Sequence, residues 1–267
     1  MENIRFDFAR LEKAMKQECR NLGTANQFGD VMEKITKVLS LCGEFSQGRK
    51  VTYRIGKNIL LSNGHPKIIV PVCPDYSHKN GKYTFCSLGS GVSLLTERHL
   101  TFLGQVREVF PELEALLLIA DHEADDQELC RVVGKTHNEF AYSLSRSVDE
   151  TKKRVKQFGW EVDYMTNFIK NLVDEEKRII GWISAKSEFQ GRIKSETLAR
   201  SDMYRKISRS FTSDEMMQRT IKTAAQYIAL GQFAACNSYL VCNHTTTNLS
   251  WYLQTDVAVL HNPISVY

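Results

Sequence analysis

Residues 68–72 read Ile68-Ile69-Val70-Pro71-Val72 and run straight into Cys73-Pro74-Asp75-Tyr76. The run is too short for a helix. It is also too uniformly apolar for a half-exposed strand, which would alternate. Bounded upstream by the turn-forming Asn63-Gly64-His65-Pro66, it suits a parallel strand covered on both faces. A second run of the same kind, Leu113 to Ala120, ends in Asp121-His122-Glu123-Ala124-Asp125-Asp126. A third strand is expected over Trp160 to Tyr164, and two more over Ser238 to Cys242 and Val257 to Leu260. Between them lie helical patterns. Strands that alternate with helices imply a parallel sheet with helical crossovers.

The helical readings follow the apolar period. Residues 3–21 place Ile4, Phe8, Leu11, Ala14 and Met15 on one face, and residues 27–42 do the same with Phe28, Val31, Ile35, Val38 and Leu39. Residues 50–61, with a Gly-Lys-Asn step, read as a hairpin or short strands, and residues 77–91 as a loop. A helix follows over residues 95–110, capped by Thr96 and closed by Pro111. Residues 127–158 are helical with Gly159 as the stop. Residues 174–222 read as two helices split near Phe211-Thr212-Ser213-Asp214, where Thr212 or Ser213 can cap, and residues 223–233 as an apolar helix. The division expected is an N-terminal helical and hairpin extension over residues 1–62, packed on a Rossmann-like domain over residues 63–267.

Composition narrows the class. The 267 residues are 42% hydrophobic and 25% charged, which is ordinary globular usage and excludes disorder as the dominant state. No apolar run approaches the length of a membrane span. The N-terminus shows no secretory pattern, and the seven cysteines are odd in number without a CxxC, so reduced thiols in the cytoplasm are expected. Residues 1–145 hold 18 basic and 18 acidic side chains, whereas residues 146–222 hold 17 and 12, a surplus of five. The last 45 residues contain no Lys or Arg. A basic helical stretch reads either as a polyanion surface or as a solvated face laced with ion pairs.

In open parallel sheets ligands bind beyond the carboxyl ends of the strands. That rule selects Cys73 to Tyr76, Asp121 to Asp126, and Asn243 to Thr247. Cys73 is a candidate nucleophile, with a small buried hydrophobe as the competing reading. The acidic cluster could bind a divalent metal or start a helix, and we expect no metal there. Asp121 is the member best placed to meet a substrate amine or ribose hydroxyl. His244, after Asn243, can serve as an acid/base or as a hydrogen-bond donor. Tyr227 and Gly231 lie four apart on one helix face, with Gln232 beside them. Motifs of the GxGxxG, GxxxxGK[ST], HExxH and GxSxG types are missing from the chain.

In this order the pieces resemble the tRNA-dependent cyclodipeptide synthases, whose catalytic domain is like that of class I tyrosyl-tRNA synthetases. In that family a strand ends in a serine nucleophile with an asparagine three residues on, and here Cys73 and Tyr76 stand at those places. Its later helix carries a tyrosine and, four residues on, a glutamate, matched here by Tyr227 and Gly231. Its strand ending in tyrosine-histidine is matched by Asn243 and His244. The resemblance spans roughly residues 66–260. It implies an aminoacyl transferase that takes aminoacyl-tRNA, needs no cofactor, and joins amino acids through a covalent intermediate on Cys73. Tyr227 and His244 would act at the catalytic centre, and Tyr76, Asp121, Gly231, Gln232 and Asn243 would line the pocket for a small amino-acid-derived substrate. Lys152, Lys153, Arg154, Lys156, Arg192, Lys194, Arg200, Arg205, Lys206 and Arg209 would form one connected surface for tRNA phosphates. A second resemblance, over Pro71 to Lys82, is to the isonitrile and dityrosine-type synthases, which would act on a free amino acid. A non-catalytic Rossmann-like binding protein is the third reading.

Overall fold

The computed structural model describes residues 8–42, 49–62, 64–72, 76–79, 82–85, 94–121, 127–132, 134–169, 171–207, 211–243 and 259–261. Five parallel strands form the main sheet: β1 (Lys67–Val72), β4 (Glu114–Ile119), β5 (Glu161–Tyr164), β6 (Tyr239–Asn243) and β7 (Val259–His261), in the spatial order β5-β4-β1-β6-β7. Residues alternate cleanly between the two faces. Ile68, Val70 and Val72 of β1, Ala115, Leu117 and Ile119 of β4, and Leu240 and Cys242 of β6 enter one core. Ile69, Leu116, Leu118 and Val241 enter the other. The chain is therefore a Rossmann-like α/β protein, with a parallel sheet clad by helices on both faces.

The first face is covered by α1 (Phe8–Asn21), α2 (Phe28–Leu41), α3 (Arg49–Leu61), α4 (Leu94–Val109) and α6 (His137–Val155). The second is covered by α7 (Met165–Phe168), α8 (Leu172–Ala185), α9 (Ser187–Ile207) and α10 (Ser213–Cys236). A short α5 (Gln127–Val132) and an antiparallel pair, β2 (Tyr76–Lys79) and β3 (Lys82–Phe85), complete the described elements.

Several local expectations are corrected. Residues 50–61 are not a hairpin but helix α3, with Ile55 and Ile59 buried at helical spacing. The glycine that suggested a turn serves a close approach instead. A Cβ on Gly56 would come within 2.5 Å of the Met15 sulfur, so this residue lets α3 lie against α1. The expected loop over residues 77–91 contains the β2–β3 hairpin. Lys79 pairs with Lys82 across Asn80-Gly81, the step that most strongly signals a two-residue hairpin turn. Thr96 does not cap α4, which begins at Leu94, and it is buried within the first turns. Residues 174–222 hold the break between α8 and α9 at Lys186 as well as the one before α10. Gly159 does stop its helical segment, at φ +70°.

Two helices start with the same reciprocal cap. The Thr136 and Thr212 hydroxyls accept from the Glu139 and Glu215 amides, and each glutamate accepts from the threonine N–H at 2.8 and 2.7 Å. Those backbone bonds, and then the threonine hydroxyls, hold both carboxyls below the usual glutamate range. Their stabilisation is therefore complete above the ordinary glutamate pKa and is lost as pH falls through the lowered folded values. In thermal melts, the Tm difference between the wild type and the Glu139→Gln/Glu215→Gln double variant should shrink as pH is lowered from 7 to 3. A constant difference would contradict this account. Separately, Leu117 is fully buried on a strand paired on both sides. Leu117→Ala should lower stability by about 2–5 kcal/mol in urea unfolding.

Candidate active site

From β1 the chain steps through β4 to β5 on one side, then returns across the second face to β6 and β7 on the other. The direction of winding thus reverses between β1 and β6. Crevices for ligands open at that switch point, beyond the carboxyl ends of the strands. Here the opening is visible in the ladder itself. The β1–β6 pairing runs Lys67↔Tyr239, Ile68↔Leu240, Ile69↔Val241 and stops there, whereas β1–β4 continues to Val72↔Ile119. Pro71 follows two residues after the last β6 pair and has no N–H to donate. Cys242 and Asn243 pair outward instead, with Leu260 and His261 of β7. The carboxyl ends of β1 and β6 are no longer laddered to each other.

Val72 ends β1 beside this opening and Asn243 ends β6 on its other side. Cys73 and His244, the next residues in each case, lie outside the described residues. So do His122 to Asp126, and the side chains of Tyr76 and Asn243. Tyr76 opens β2, and Asp121 follows β4 at the same edge, two residues after Ile119.

Asp121 already has a partner. Its Oδ1 accepts from the Thr166 backbone N–H at 3.1 Å, and its Oδ2 accepts from the Thr166 hydroxyl. The carboxylate thereby ties the end of β4 to α7. This bond was not legible in the sequence, because the two residues are 45 apart.

Tyr227, Gly231 and Gln232 lie on α10, which turns tightly into β6 through Asn237 and Ser238. The nine helical steps from Tyr227 to Cys236 rise about 13 Å, close to the roughly 13 Å that Tyr239 to Asn243 climb as strand. Tyr227 therefore reaches back to about the carboxyl edge of β6, while Gly231 and Gln232 lie lower. Tyr227 packs with the second core, Gly231 is buried, and Gln232 is half-buried.

One residue was missed. His99 of α4 is buried, with Nδ1 3.8 Å from the Cys242 sulfur, directly beneath the end of β6. Its signal was its place on the apolar face shared with Phe102, Leu103 and Val106. Burial pushes the Cys242 thiol well above its ordinary range, and Cys42 nearby adds to this. That makes Cys242 a poor nucleophile.

The basic residues do not lie on one helix layer. Lys152, Lys153 and Arg154 sit in the last turn of α6, with Lys156 just after it, on the first face. Arg192 and Lys194 belong to α9, which packs on the second. Lys153 pairs with Glu150 at 2.7 Å and Arg154 with Glu97 at 3.4 Å. The side chains of Arg200, Arg205 and Lys206, and all of Arg209, lie outside the described residues. Among the described residues, the basic positions thus fall on helices of two opposite faces of the sheet. Among the described residues, no three His, Cys, Asp or Glu side chains are grouped to hold a metal ion, and no helix is long and apolar enough to cross a membrane.

Among solved structures, the chain is similar to a cyclodipeptide synthase (CDPS) from Staphylococcus haemolyticus, with a TM-score of 0.46 and 14% identity over 72% of this chain and 84% of that one. No protein-family model matches the chain, and no curated protein matches it.

The Asp121–Thr166 tie can be tested by a double-mutant cycle. Asp121→Ala should cost about 1–3 kcal/mol, because a charged hydrogen-bond acceptor is lost. Thr166→Val should then cost much less in the Asp121→Ala background than alone. Strict additivity would mean that the two groups do not act on each other.

Proposed function

We propose that the protein is an aminoacyl transferase that draws activated amino acids from aminoacyl-tRNA and joins them at the β1–β6 crevice. The observation that carries this reading is the end of the β1–β6 ladder at Ile69 and Val241. Beyond it, the two strands lead into Cys73 and His244, the residues that the resemblance to cyclodipeptide synthases assigns to catalysis. Tyr227 comes level with the same edge from the helix that precedes β6.

The chemistry needs no nucleotide, since the tRNA ester is already activated. The Cys73 thiolate attacks the ester carbonyl, the bond to the ribose oxygen breaks, and a thioester forms. His244 delivers a proton to the departing ribose hydroxyl. The amine of a second aminoacyl group then attacks the thioester carbonyl. A peptide bond forms, the amine proton passes to the His244 ring, and Cys73 leaves as thiolate; the free amine of the dipeptide then attacks the remaining ester carbonyl, the second ribose oxygen leaves as a hydroxyl with that amine's proton, and a cyclic dipeptide is freed. Tyr227 orients the aminoacyl group, while Tyr76, Asn243, Gly231, Gln232 and the free lone pairs of Asp121 line its pocket. Of the two basic groups, the α9 set with Arg192 and Lys194 is the better candidate for tRNA phosphates. Helix α9 contacts β3 and α5, both of which follow the carboxyl ends of strands and so lie toward the proposed site.

Cys73 decides the matter. Purified protein is incubated with a charged tRNA pool, and dipeptide products are read by mass spectrometry. Cys73→Ala should abolish product, and Cys73→Ser should retain part of it, because a hydroxyl can carry the same ester chemistry. In the native protein, iodoacetamide should label Cys73 faster than Cys19, Cys42, Cys130 and Cys242, which are buried. Equal labelling, or full product from Cys73→Ala, would overturn the covalent route.

A further inference from the structure

Strand β7 ends in His261, at the carboxyl edge of the sheet. The β6–β7 ladder runs parallel, with Val241↔Val259, Cys242↔Leu260 and Asn243↔His261 in register. Its last rung lies beyond Ile69↔Val241, the rung at which β1 and β6 cease to pair. The face follows from alternation. Cys242 and its rung partner Leu260 enter the first core, whereas Val241 enters the second. Positions 243 and 261 thus fall on the second face, which α10 covers and along which Tyr227 comes level with the edge. This rung joins two different chemistries. An asparagine amide holds hydrogen bonds but does not titrate, whereas an imidazole accepts and returns a proton near neutral pH.

The proposed route occupies one proton carrier before it is finished. His244 gives a proton to the first ribose oxygen and regains one from the incoming amine. Its ring is then protonated and can accept nothing more. The closing step still has an amine to deprotonate, that of the dipeptide as it attacks the remaining ester. On the aminoacyl-transfer reading, which supplies the two esters, we infer that His261 is the catalytic residue of this closing step. Its neutral ring takes the proton of the attacking amine as the C–N bond forms. It returns that proton to the second ribose oxygen as the C–O bond breaks, so the ring ends as it began. Strand order suits this division of labour. Strand β7 lies two strands from β1, about 10 Å at the usual spacing, so position 261 flanks β6 on the side away from the strand that leads into Cys73.

Wild type, His261→Gln, His261→Asn and His65→Gln are each incubated with the charged tRNA pool and quenched at intervals. His65 is exposed and precedes β1 at the opposite edge of the sheet, so it serves as the control. Mass spectrometry follows three species: protein acylated on Cys73, dipeptidyl-adenosine released from tRNA by nuclease, and cyclic dipeptide. In both His261 variants, acylation and dipeptidyl-tRNA formation should keep wild-type rates. Dipeptidyl-tRNA should accumulate, and the rate of cyclic product should fall by roughly 100-fold, the usual scale of general acid–base catalysis. His65→Gln should match wild type throughout. A purely structural role for His261 would slow all three steps together. Such a uniform loss in both variants, or cyclic product at the wild-type rate, overturns the role of His261 and leaves the transferase reading in place. Wild type that forms neither acyl-enzyme nor dipeptide overturns the transferase reading and this role with it.

Discussion

Everything in this molecule hangs on a strand buried on both faces. Ile68, Val70 and Val72 of β1 enter one core, and Ile69 enters the other. Such a strand can only sit in the middle of a sheet whose two faces are both covered. The N-terminal helices and α4 and α6 meet one half of that demand, and α7 to α10 meet the other. The parallel direction follows, because the returns from β1 to β4, from β4 to β5 and from β5 to β6 all pass through helices.

The same strand creates its own exception. Pro71 can fill a buried position as well as valine, yet it withdraws a donor near the point where the β6 ladder ceases. One residue thus satisfies the core and helps end the pairing at the place where the winding reverses. Strands β1 and β6 end on either side of that point, and the descent of α10 brings Tyr227 to about the same edge. The aminoacyl-transfer reading draws on this one opening. Position at the carboxyl edge is shared by many α/β proteins, so the chemistry rests on which side chains stand there.

Burial also sorts the cysteines. Cys242 is sealed against His99 and Cys42, where a thiolate is strongly disfavoured. Activation needs a thiol in reach of solvent or of backbone donors. Asp121 illustrates the opposite case. Although it lies at the edge, its carboxylate is already used to fasten α7, so a substrate would have to share it.

Local chemistry was enough to read the sheet. Uninterrupted apolar runs reported strands buried on both faces, Pro111 and Gly159 reported helix ends, and Thr212 reported a cap, because each acts within a few residues of itself. The sequence also marked which chain positions follow strand ends. It misled where one residue type has two uses. Gly56 was taken for a turn residue but allows two helices to touch, and residues 77–91 were read as a loop although Lys79 and Lys82 pair as the last rung of a hairpin. Charge counting grouped basic residues without regard to layer, since a count carries no information about which face of a sheet a helix covers. Contacts across long separations were decided by tertiary structure alone. Asp121 meeting Thr166 and His99 lying under Cys242 both depend on how helices settle against the sheet, and no local pattern encodes that.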